Sequence, residues 1–348
     1  MTSSDDALVI TRVVNGLGRI ELNKAKAINA LGRDMVASID SALNEWRDDD
    51  AVAAVLITGR GDRGLCAGGD IKAIYQDLVA GTSESQDFWA EEYRMNFDIA
   101  GYPKPYIAIM HGITMGGGVG VSVHGSHRVV TETTKLGMPE TGIGLFPDIG
   151  GTYLLAQTPG EIGMYMGLTG LPIGPGAALA YGLADTFVPQ EKVEELISAL
   201  EADGTKAVET LASFAGEAPA NELAEAEAWI NTCFAHDSVE AILAALLAHG
   251  DEDAAKTAEV IKAKSPQSLA VTFEMIRTAK TMTLREVLER DFRAGTEIAA
   301  RPDLREGIRA QVIDKDRNPQ WNPATLGEVE QAEVDAILNT EQDRKVFS

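Results

Sequence analysis

The chain contains 348 residues, which is enough for one large domain or two smaller ones. Its 30 basic and 53 acidic side chains give a formal net charge of −23, and hydrophobic residues make up 45% of the sequence. This balance is ordinary for a globular protein but disfavours nucleic acid and anionic membranes as partners, because both would repel the chain.

The first half of the chain alternates strands and helices. Residues 8–23 alternate apolar and polar side chains around an Asn-Gly pair, which predicts a β-hairpin. Helical spacing predicts an amphipathic helix over 30–46, and a short apolar run predicts a buried strand over 53–58. Further elements are expected as helices near 71–80 and 86–100 and as strands near 105–110, 127–131 and 135–138. This order excludes all-helical and all-β folds and favours a layered α/β architecture.

The composition changes beyond about residue 205. Residues 206–312 are rich in Ala, Leu and Glu at helical spacing, with few strand signals. Residues 314–323 contain too many turn formers for a helix. We predict a core over residues 1–205 and a helical C-terminal region over 206–348 that packs on it, with the boundary near Gly204.

Two Gly-rich turns are each predicted to follow a strand and to open a helix. They are residues 66–70 (CAGGD) and 115–118 (MGGG). Glycine lets the backbone approach a ligand closely, and a helix N-terminus leaves N–H groups free, so such turns can stabilise a developing oxyanion. Most Gly-rich turns are only turns, but two of them followed by an acidic loop are a stronger indication.

The acidic loop carries Glu140 and Asp148, eight residues apart and flanked by Pro139, Pro147 and several glycines. Carboxyl groups on rigid loops among apolar neighbours are candidates for general acid–base catalysis. The alternative is that Glu140 caps a turn and that Asp148 caps a helix beginning near Gly150. The residues alone leave both interpretations open.

Other reactive side chains lack partners at a useful spacing. Cys66 has no histidine in an evident partnering role and is expected to be a buried thiol. His124 and His127 lie close in sequence, but no cysteine or acid cluster completes a metal site. We therefore predict no metal and no resident cofactor.

The expected location follows from the cysteines and from the start of the chain. Only two cysteines occur, so no disulfide framework is indicated and a reducing compartment fits. The first ten residues, MTSSDDALVI, carry acids where a targeting peptide would carry positive charge. No apolar run approaches the ~18 residues of a membrane helix. A cytoplasmic location is therefore expected.

Several stretches resemble the crotonase, or enoyl-CoA hydratase/isomerase, superfamily. Within it, the resemblance to the 3-hydroxyisobutyryl-CoA hydrolase branch covers nearly the whole chain. The stretches shared with the superfamily are 22–31 (LNKAKAINAL), 65–71 (LCAGGDI), 111–118 (HGITMGGG) and 138–140 (MPE), and those shared with the branch are 91–93, 111–125, 144–151 and 313–321. The resemblance implies an α/β fold, a crotonase-like spiral of ββα units followed by a helical C-terminal region.

The resemblance also implies roles for residues of the two turns and the acidic loop. The N–H groups of Gly69 and Gly117 would hold the thioester oxygen of an acyl-CoA, in which coenzyme A is part of the substrate and not a cofactor. Glu140 matches one of the two hydratase glutamates, but the other falls on Gly120, which cannot transfer a proton. The hydrolase branch shares this glycine and supplies Asp148 as its second acid.

Further substrate contacts are implied around the acyl and nucleotide ends. Glu92 matches an acid that the branch places near the acyl pocket, where it would contact a substrate hydroxyl. Lys26, Ala27 and Ala67 match positions that contact coenzyme A. As an exposed lysine, Lys26 could equally belong to the solvated surface.

The implied activity is hydrolysis of a short β-hydroxyacyl-CoA, with 3-hydroxyisobutyryl-CoA of valine breakdown as the expected substrate. Enoyl-CoA hydration or isomerisation is the alternative, and a non-catalytic acyl-CoA-binding protein is a third hypothesis. Glu140 would either activate a water or attack the carbonyl, and Asp148 would either carry a proton to the thiolate or position the water. A homo-oligomer is an open alternative to a monomer.

Overall fold

The computed structural model describes residues 7–347. Residues 1–6, part of the segment that predicted the absence of a targeting peptide, lie outside the described residues. Two compact units are present: unit 1 is built from segments up to residue 69, 94–136 and 173–222, and unit 2 from 70–93, 137–172 and from 223 onward. The predicted division of the sequence near residue 205 stays a prediction.

Unit 1 contains a six-stranded sheet, whose strands are numbered along the chain and are given next in their order across the sheet. The strands are β1 (Val9–Val14), β2 (Leu17–Leu22), β3 (Ala54–Gly59), β4 (Tyr106–Met110), β6 (His127–Val130) and β8 (Thr186–Phe187), and a second, two-stranded sheet pairs β5 (Ile113–Met115) with β7 (Lys135–Gly137). The predicted hairpin is confirmed, because β1 and β2 pair antiparallel and the turn residues Asn15 and Gly16 take φ of 45° and 85°. From β2 onward, neighbouring strands of the large sheet are parallel.

Helices pack on both faces of this sheet in unit 1, since Leu17 packs with Leu196 and Leu200 whereas the adjacent Gly18 faces Trp46. The helices of this unit are α1 (Arg33–Arg47), α4 (Gly117–Gly120), α7 (Pro175–Ala180), α8 (Val193–Ala202), α9 (Ala207–Ser213) and the second part of α3 (Glu84–Ala100). Leu56, Ile109 and Val129 of the parallel strands pack with Leu196 and Leu200 of α8 in one buried cluster. Strands buried in this way need continuous apolar runs, which is why β3 and β4 could be recognised in the sequence.

The first amphipathic helix begins three residues later than its apolar pattern predicts. Its N-cap is Gly32, and the preceding residues Ile28 and Asn29 have φ of 48° and 54°, which no α-helix contains. Leu31 instead forms an isolated parallel bridge with Gly69. The apolar pattern therefore continues into a segment whose backbone pairs with the first Gly-rich turn.

In its described part, unit 2 is almost entirely helical. Its helices are α2 (Ile71–Ala80), the first part of α3, α5 (Gly151–Ala156), α6 (Ile162–Thr169), α10 (Glu227–Cys233), α11 (Val239–Ala248), α12 (Glu252–Lys262), α13 (Pro266–Ala279), α14 (Leu284–Ala299), α15 (Pro302–Ile308) and α16 (Gln331–Asn339). Residues 314–323 are irregular, as their turn formers predicted. Between residues 7 and 347, none of the helices is both long and apolar enough to cross a membrane.

Packing in unit 2 centres on α6, every residue of which is buried. Tyr165 of α6 packs edge-on against Phe234 and Trp229. Gly167 lies so close to α13 that a Cβ there would be 2.5 Å from Ile276 Cδ1. This close packing of α5, α6, α13 and α14 provides the frame on which the acidic loop 138–151 is held.

Candidate active site

The two Gly-rich turns of unit 1 lie side by side. Cys66 and Thr114 form a parallel bridge, in which the Cys66 N–H donates to Ile113 C=O (3.1 Å) and the Met115 N–H donates to Cys66 C=O (3.0 Å). Further along the two turns, a Cβ on Gly68 would lie 3.7 Å from the Gly117 nitrogen. The structure therefore places Gly117, one predicted oxyanion donor, beside the residue that precedes Gly69, the other.

The close approach of the turns requires glycine. A Cβ on Gly118 would lie 2.4 Å from the Cys66 carbonyl oxygen, which is far inside van der Waals contact. Gly68 has φ of 111°, and a Cβ there would lie 3.3 Å from the Met115 carbonyl oxygen and 3.7 Å from the Gly117 nitrogen. Only residues without side chains allow two backbones to run this close together.

Both predicted donors are available. Gly117 is the first residue of α4, so its N–H has no acceptor within the helix. The N–H of Gly69 donates to no protein acceptor among residues 7–347, since the Leu31–Gly69 bridge uses the neighbouring Gly68 carbonyl. Two adjacent N–H groups without internal acceptors can hold one oxyanion.

Position 120, where the family's other glutamate would stand, has no room for a side chain. A Cβ on Gly120 would lie 2.8 Å from Asn96 Nδ2 and 3.1 Å from Asn96 Oδ1. Asn96 is fully buried on α3, and within the described chain neither polar atom of its side chain has a hydrogen-bond partner. The sequence showed the glycine but not the buried amide that occupies the space beside it.

The residues expected to contact coenzyme A lie on the surface of unit 1. Lys26 and Ala27 belong to a 3₁₀ turn (Ala25–Ala27), and both are exposed, as is Ala67. The Ala67 N–H donates to Ile28 C=O (2.9 Å), which brings this first Gly-rich turn beside the 3₁₀ turn. The three predicted contact residues therefore share one surface region.

Two side chains that sequence reasoning missed hold this region in place. Asn29 is fully buried, and its Nδ2 donates to the carbonyls of Arg60, Gly64 and Leu65 (3.1, 3.3 and 3.0 Å). Arg63 donates to the carbonyls of residues 25 and 26 (2.6 and 2.7 Å). The residue type was a usable sequence signal, because asparagine tolerates the left-handed φ found at position 29 better than most residues do.

Unit 2 contains an acid cluster formed by Glu92, Glu140 and Asp148. Glu92 lies on α3, Glu140 begins a 3₁₀ turn (Glu140–Ile143), and Asp148 lies in the turn before α5. All three carboxyl groups are buried, with exposed fractions of 2%, 7% and 6%. They are close enough for the charge of Asp148 to raise the pKa of both glutamates. The structure thus groups the three acids that the resemblance assigned to the site.

The acids differ in their hydrogen bonds. The phenol of Tyr93 donates to Asp148 Oδ2 at 2.7 Å, whereas Glu140 Oε2 and Glu92 Oε1 have no partner among the described residues. Burial raises the pKa of Asp148 to about 6, against the lowering effect of the Tyr93 hydrogen bond. Burial, and then the charge of Asp148, raise the pKa of Glu140 well above its ordinary value. Within the pair, these surroundings favour the protonated form of Glu140 and the charged form of Asp148.

The capping interpretation of Asp148 is not what the structure shows. The N-cap of α5 is Gly150, and no side chain accepts a hydrogen bond there. Glu140 does begin its 3₁₀ turn, but its buried Oε2 is unpaired. Capping of α5 therefore does not account for Asp148, and one buried oxygen of Glu140 is left for another role.

A fourth buried acid was missed from the sequence. Asp291 of α14 is fully buried, and its Oδ2 accepts a hydrogen bond from the Gly150 N–H (2.9 Å). It lies on the apolar face of an amphipathic helix, between the buried residues Leu288 and Phe292. The sequence signal for Asp291 was an acid within an apolar helix face. A buried acid needs a hydrogen-bonding or charged partner, so such a position indicates a specific contact.

The remaining reactive groups have other surroundings. Cys66 is fully buried, as expected, and its Sγ contacts the Asn29 carbonyl (3.2 Å). Over residues 7–347, no three His, Cys, Asp or Glu side chains form a group that could hold a metal ion.

Known proteins match this chain over most of its length. The model of the enoyl-CoA hydratase/isomerase family matches residues 17–338. Curated relatives include the mitochondrial 3-hydroxyisobutyryl-CoA hydrolases of Xenopus tropicalis, 41% identical over 93% of this chain and 86% of that protein, and of Danio rerio, 39% identical over 99% and 92%.

Solved structures show the same fold. A carnitinyl-CoA dehydratase from Mycobacterium thermoresistibile has 46% identity and a TM-score of 0.94, with 98% of each chain covered. An enoyl-CoA hydratase from Rhodobacter sphaeroides 2.4.1 has 42% identity and a TM-score of 0.90, covering 95% of this chain and 97% of that one. The crotonase-like α/β fold predicted from the sequence is confirmed.

Proposed function

Because the chain belongs to the enoyl-CoA hydratase/isomerase family, we propose that it hydrolyses a short 3-hydroxyacyl-CoA thioester, with 3-hydroxyisobutyryl-CoA as its substrate. The observation that carries the proposal is the acid pattern: Glu140 and Asp148 form a buried, coupled pair, while position 120 is a glycine without space for an acid. The relatives from Xenopus tropicalis and Danio rerio carry this activity in their names.

The N–H groups of Gly69 and Gly117 stabilise the oxyanion in this proposal. Attack on a thioester places negative charge on the carbonyl oxygen, and two fixed backbone donors stabilise that charge without reorganising during the reaction. Each donor of this kind contributes about 3 kcal/mol to the stability of the transition state. Two such donors would supply the larger share of the rate enhancement.

The acid pair transfers the protons. Asp148, charged near neutral pH, removes a proton from the attacking water, whose oxygen forms a bond to the thioester carbon. The carbon–sulfur bond then breaks, and the proton of Glu140 passes to the coenzyme A thiolate. Two acids with pKa values driven apart by their surroundings are suited to this division of work. The same charge state disfavours the acyl-enzyme route, because an attacking carboxyl group must be ionised.

Glu92 and the exposed residues of unit 1 contact the substrate in the proposal. Burial, and then the charge of Asp148, raise the pKa of Glu92 well above its ordinary value, which favours the neutral carboxyl group, the form that can donate a hydrogen bond to a substrate hydroxyl. Lys26, Ala27 and Ala67 are exposed as a group and would contact the nucleotide end of coenzyme A.

Hydration or dehydration of an enoyl-CoA is the second candidate function. Two solved structures above 40% identity bear the names of a dehydratase and a hydratase, which favours it. Addition of water across a double bond in this family uses two glutamates, and only Glu140 is present here. The missing second acid at Gly120 is the reason to rank this activity below hydrolysis.

One pair of assays separates these functions. Purified protein is incubated with 3-hydroxyisobutyryl-CoA, and free thiol is titrated; in parallel, the absorbance of crotonyl-CoA is followed. We expect thiol release that falls at least 100-fold in Glu140→Gln and in Asp148→Asn, while the exposed control Glu252→Gln matches the wild type. Loss of crotonyl-CoA absorbance without thiol release would replace the proposal with hydration. Coenzyme A binding without turnover of any thioester would indicate a binding protein.

A cytoplasmic location and a place in valine breakdown remain part of the proposal, and a homo-oligomer remains an open alternative to a monomer. Cys66 and Cys233 are both buried and form no disulfide within the described residues, which suits a reducing compartment. The curated relatives are named as mitochondrial proteins. Cell fractionation decides the compartment, and the mass of the native protein in solution decides the oligomeric state.

A further inference from the structure

The turn that carries Asp148 has an unfavourable backbone conformation. Ile149 and Gly150, the next two residues, both lie in the left-handed region, with φ of 56° and 73°. Glycine adopts this conformation readily, but a β-branched residue such as isoleucine rarely does. A turn of this kind persists only where the surrounding structure holds it.

Helix α14 holds this turn through two consecutive residues. Asp291 Oδ2 accepts a hydrogen bond from the Gly150 N–H (2.9 Å), and Arg290 donates to Thr152 Oγ1 (3.0 Å) on α5. Arg290 is fixed in turn by hydrogen bonds to Met275 C=O (3.0 Å) and Thr278 Oγ1 (2.6 Å). Residues 150–152 are therefore attached at both ends to one buried helix face.

Asp291 fulfils this role without needing a charge. Burial raises its pKa to about 8, so the carboxyl group is largely neutral near pH 7. Its Oδ1 has no hydrogen-bond partner within residues 7–347, and Oδ2 makes the bond to Gly150. A neutral side chain of the same shape, with an oxygen in the place of Oδ2, would hold the turn equally well.

We propose that Asp291 is a positioning residue: by accepting the Gly150 N–H it fixes the left-handed turn and so sets where the Asp148 carboxyl group lies. This inference rests on the proposed function, because it matters to catalysis only if Asp148 transfers a proton. Asp291 does not touch the reacting atoms and acts entirely through the backbone of residues 148–151. A shift of about 1 Å in a catalytic group costs on the order of 100-fold in rate, so the effect of losing it is measurable.

The test compares Asp291→Asn, which retains an acceptor oxygen, with Asp291→Ala, which does not. We expect Asp291→Ala to lower kcat by 10- to 100-fold with KM within threefold, and Asp291→Asn to retain at least one third of the wild-type kcat. Asp303→Ala is the matched control, since Asp303 is also a buried acid of unit 2 and bonds instead to Ser265 and the Asn322 N–H. If Asp291→Ala does not fold, Asp291→Ser takes its place, because its shorter hydroxyl cannot reach Gly150.

A second measurement does not depend on activity. Amide hydrogen exchange at Gly150 should be at least tenfold faster in Asp291→Ala and unchanged in Asp291→Asn. Retention of kcat in Asp291→Ala, or equal losses in the two variants, would overturn the positioning role while leaving the hydrolase assignment intact. If the wild type releases no thiol, the proposed function fails, and the exchange rates alone then decide whether Asp291 holds the turn.

Discussion

The phenol of Tyr93 donates a 2.7 Å hydrogen bond to Oδ2 of Asp148, and both side chains are buried. A hydrogen bond to the charged form of an acid lowers its pKa, so Tyr93 opposes the effect of burial on Asp148. Glu140 has no such donor on Oε2, and burial and then the charge of Asp148 raise its pKa well above its ordinary value. Tyr93 therefore favours the charged form of Asp148 over that of Glu140.

The first prediction is the pH dependence of thioester hydrolysis. Asp148 must be ionised to accept a proton, so kcat/KM should fall tenfold per pH unit below about 6. Glu140 must be protonated, so activity should fall again as the pH rises above its raised pKa, giving a bell-shaped profile that reports the pair. A profile that is flat between pH 5 and 7 would contradict the role of Asp148.

The second prediction concerns Tyr93→Phe. A hydrogen bond to a charged group is worth about 1.5–3 kcal/mol, which corresponds to a pKa change of about 1–2 units. The ascending limb of the pH profile should therefore move up by about 1–2 pH units, and activity at pH 7 should fall while activity at pH 8.5 is largely recovered. Tyr75→Phe, at a half-buried tyrosine of α2, should leave the profile unchanged. A uniform loss at all pH values would mean that Tyr93 acts in another way.

The backbone part of the site could be predicted from the sequence. Gly69 and Gly117 lie in short motifs that follow strands, and glycine at these positions has a direct physical reason, the contact of two backbones. Strands such as β3 and the helices of unit 2 have apolar patterns of the expected period. Local sequence is sufficient for features of this kind.

The side-chain partners could not be predicted in the same way. Tyr93 is 55 residues from Asp148, and Asp291 is 141 residues from Gly150, and no periodicity relates either pair. Asn29 supports residues more than 30 positions away through three carbonyl groups. Such contacts depend on how helices and loops pack in three dimensions, which a single sequence does not state.

The third prediction is that Gly118→Ala impairs hydrolysis more than it impairs folding. The new methyl group would lie 2.4 Å from the Cys66 carbonyl oxygen, so the two Gly-rich turns must move apart. We expect a loss of about 1–3 kcal/mol in unfolding free energy and a fall in kcat of about 100-fold. Gly32→Ala is the control, since no atom lies within 4 Å of a Cβ at that position. Thiol release and thermal unfolding are measured on both, and equal kcat values would contradict the role of the turns.

The fourth prediction tests for an acyl-enzyme on Glu140 that water hydrolyses at the Glu140 carbon. In a single turnover with enzyme in excess in ¹⁸O-labelled water, direct attack places the label in the released acid only. An anhydride on Glu140 is also hydrolysed by water, and attack at the Glu140 carbon would place ¹⁸O in that side chain. Mass spectrometry of the peptide containing Glu140 should therefore show no added label. Label in this peptide, absent in Glu140→Gln, would establish the acyl-enzyme route.

The fifth prediction is that Asp291→Asn reduces the loss of stability at higher pH. The folded pKa of Asp291, about 8, lies above the ordinary value of 3.8, so the folded protein binds the extra proton in this range. The stabilisation that this extra proton gives the folded protein is fully present below pH 3.8, and it is lost as the pH rises to about 8. The cause is burial, offset by Arg290 and Arg293 and increased by the charge of Asp148.

Asparagine cannot ionise, so between pH 5 and 8.5 the variant should gain on the order of 2–4 kcal/mol in unfolding free energy relative to the wild type. Denaturant unfolding of both proteins across this range measures the difference, and titrating groups that do not interact with Asp291 cancel in the comparison. The exposed control Asp253→Asn should follow the wild type at every pH. Parallel curves for Asp291→Asn and the wild type would show that Asp291 is already ionised in the folded protein at low pH. The assignment of a neutral carboxyl group to Asp291, on which the expected rescue by asparagine depends, would then be wrong. This would hold even if Asp291 keeps its hydrogen bond to Gly150.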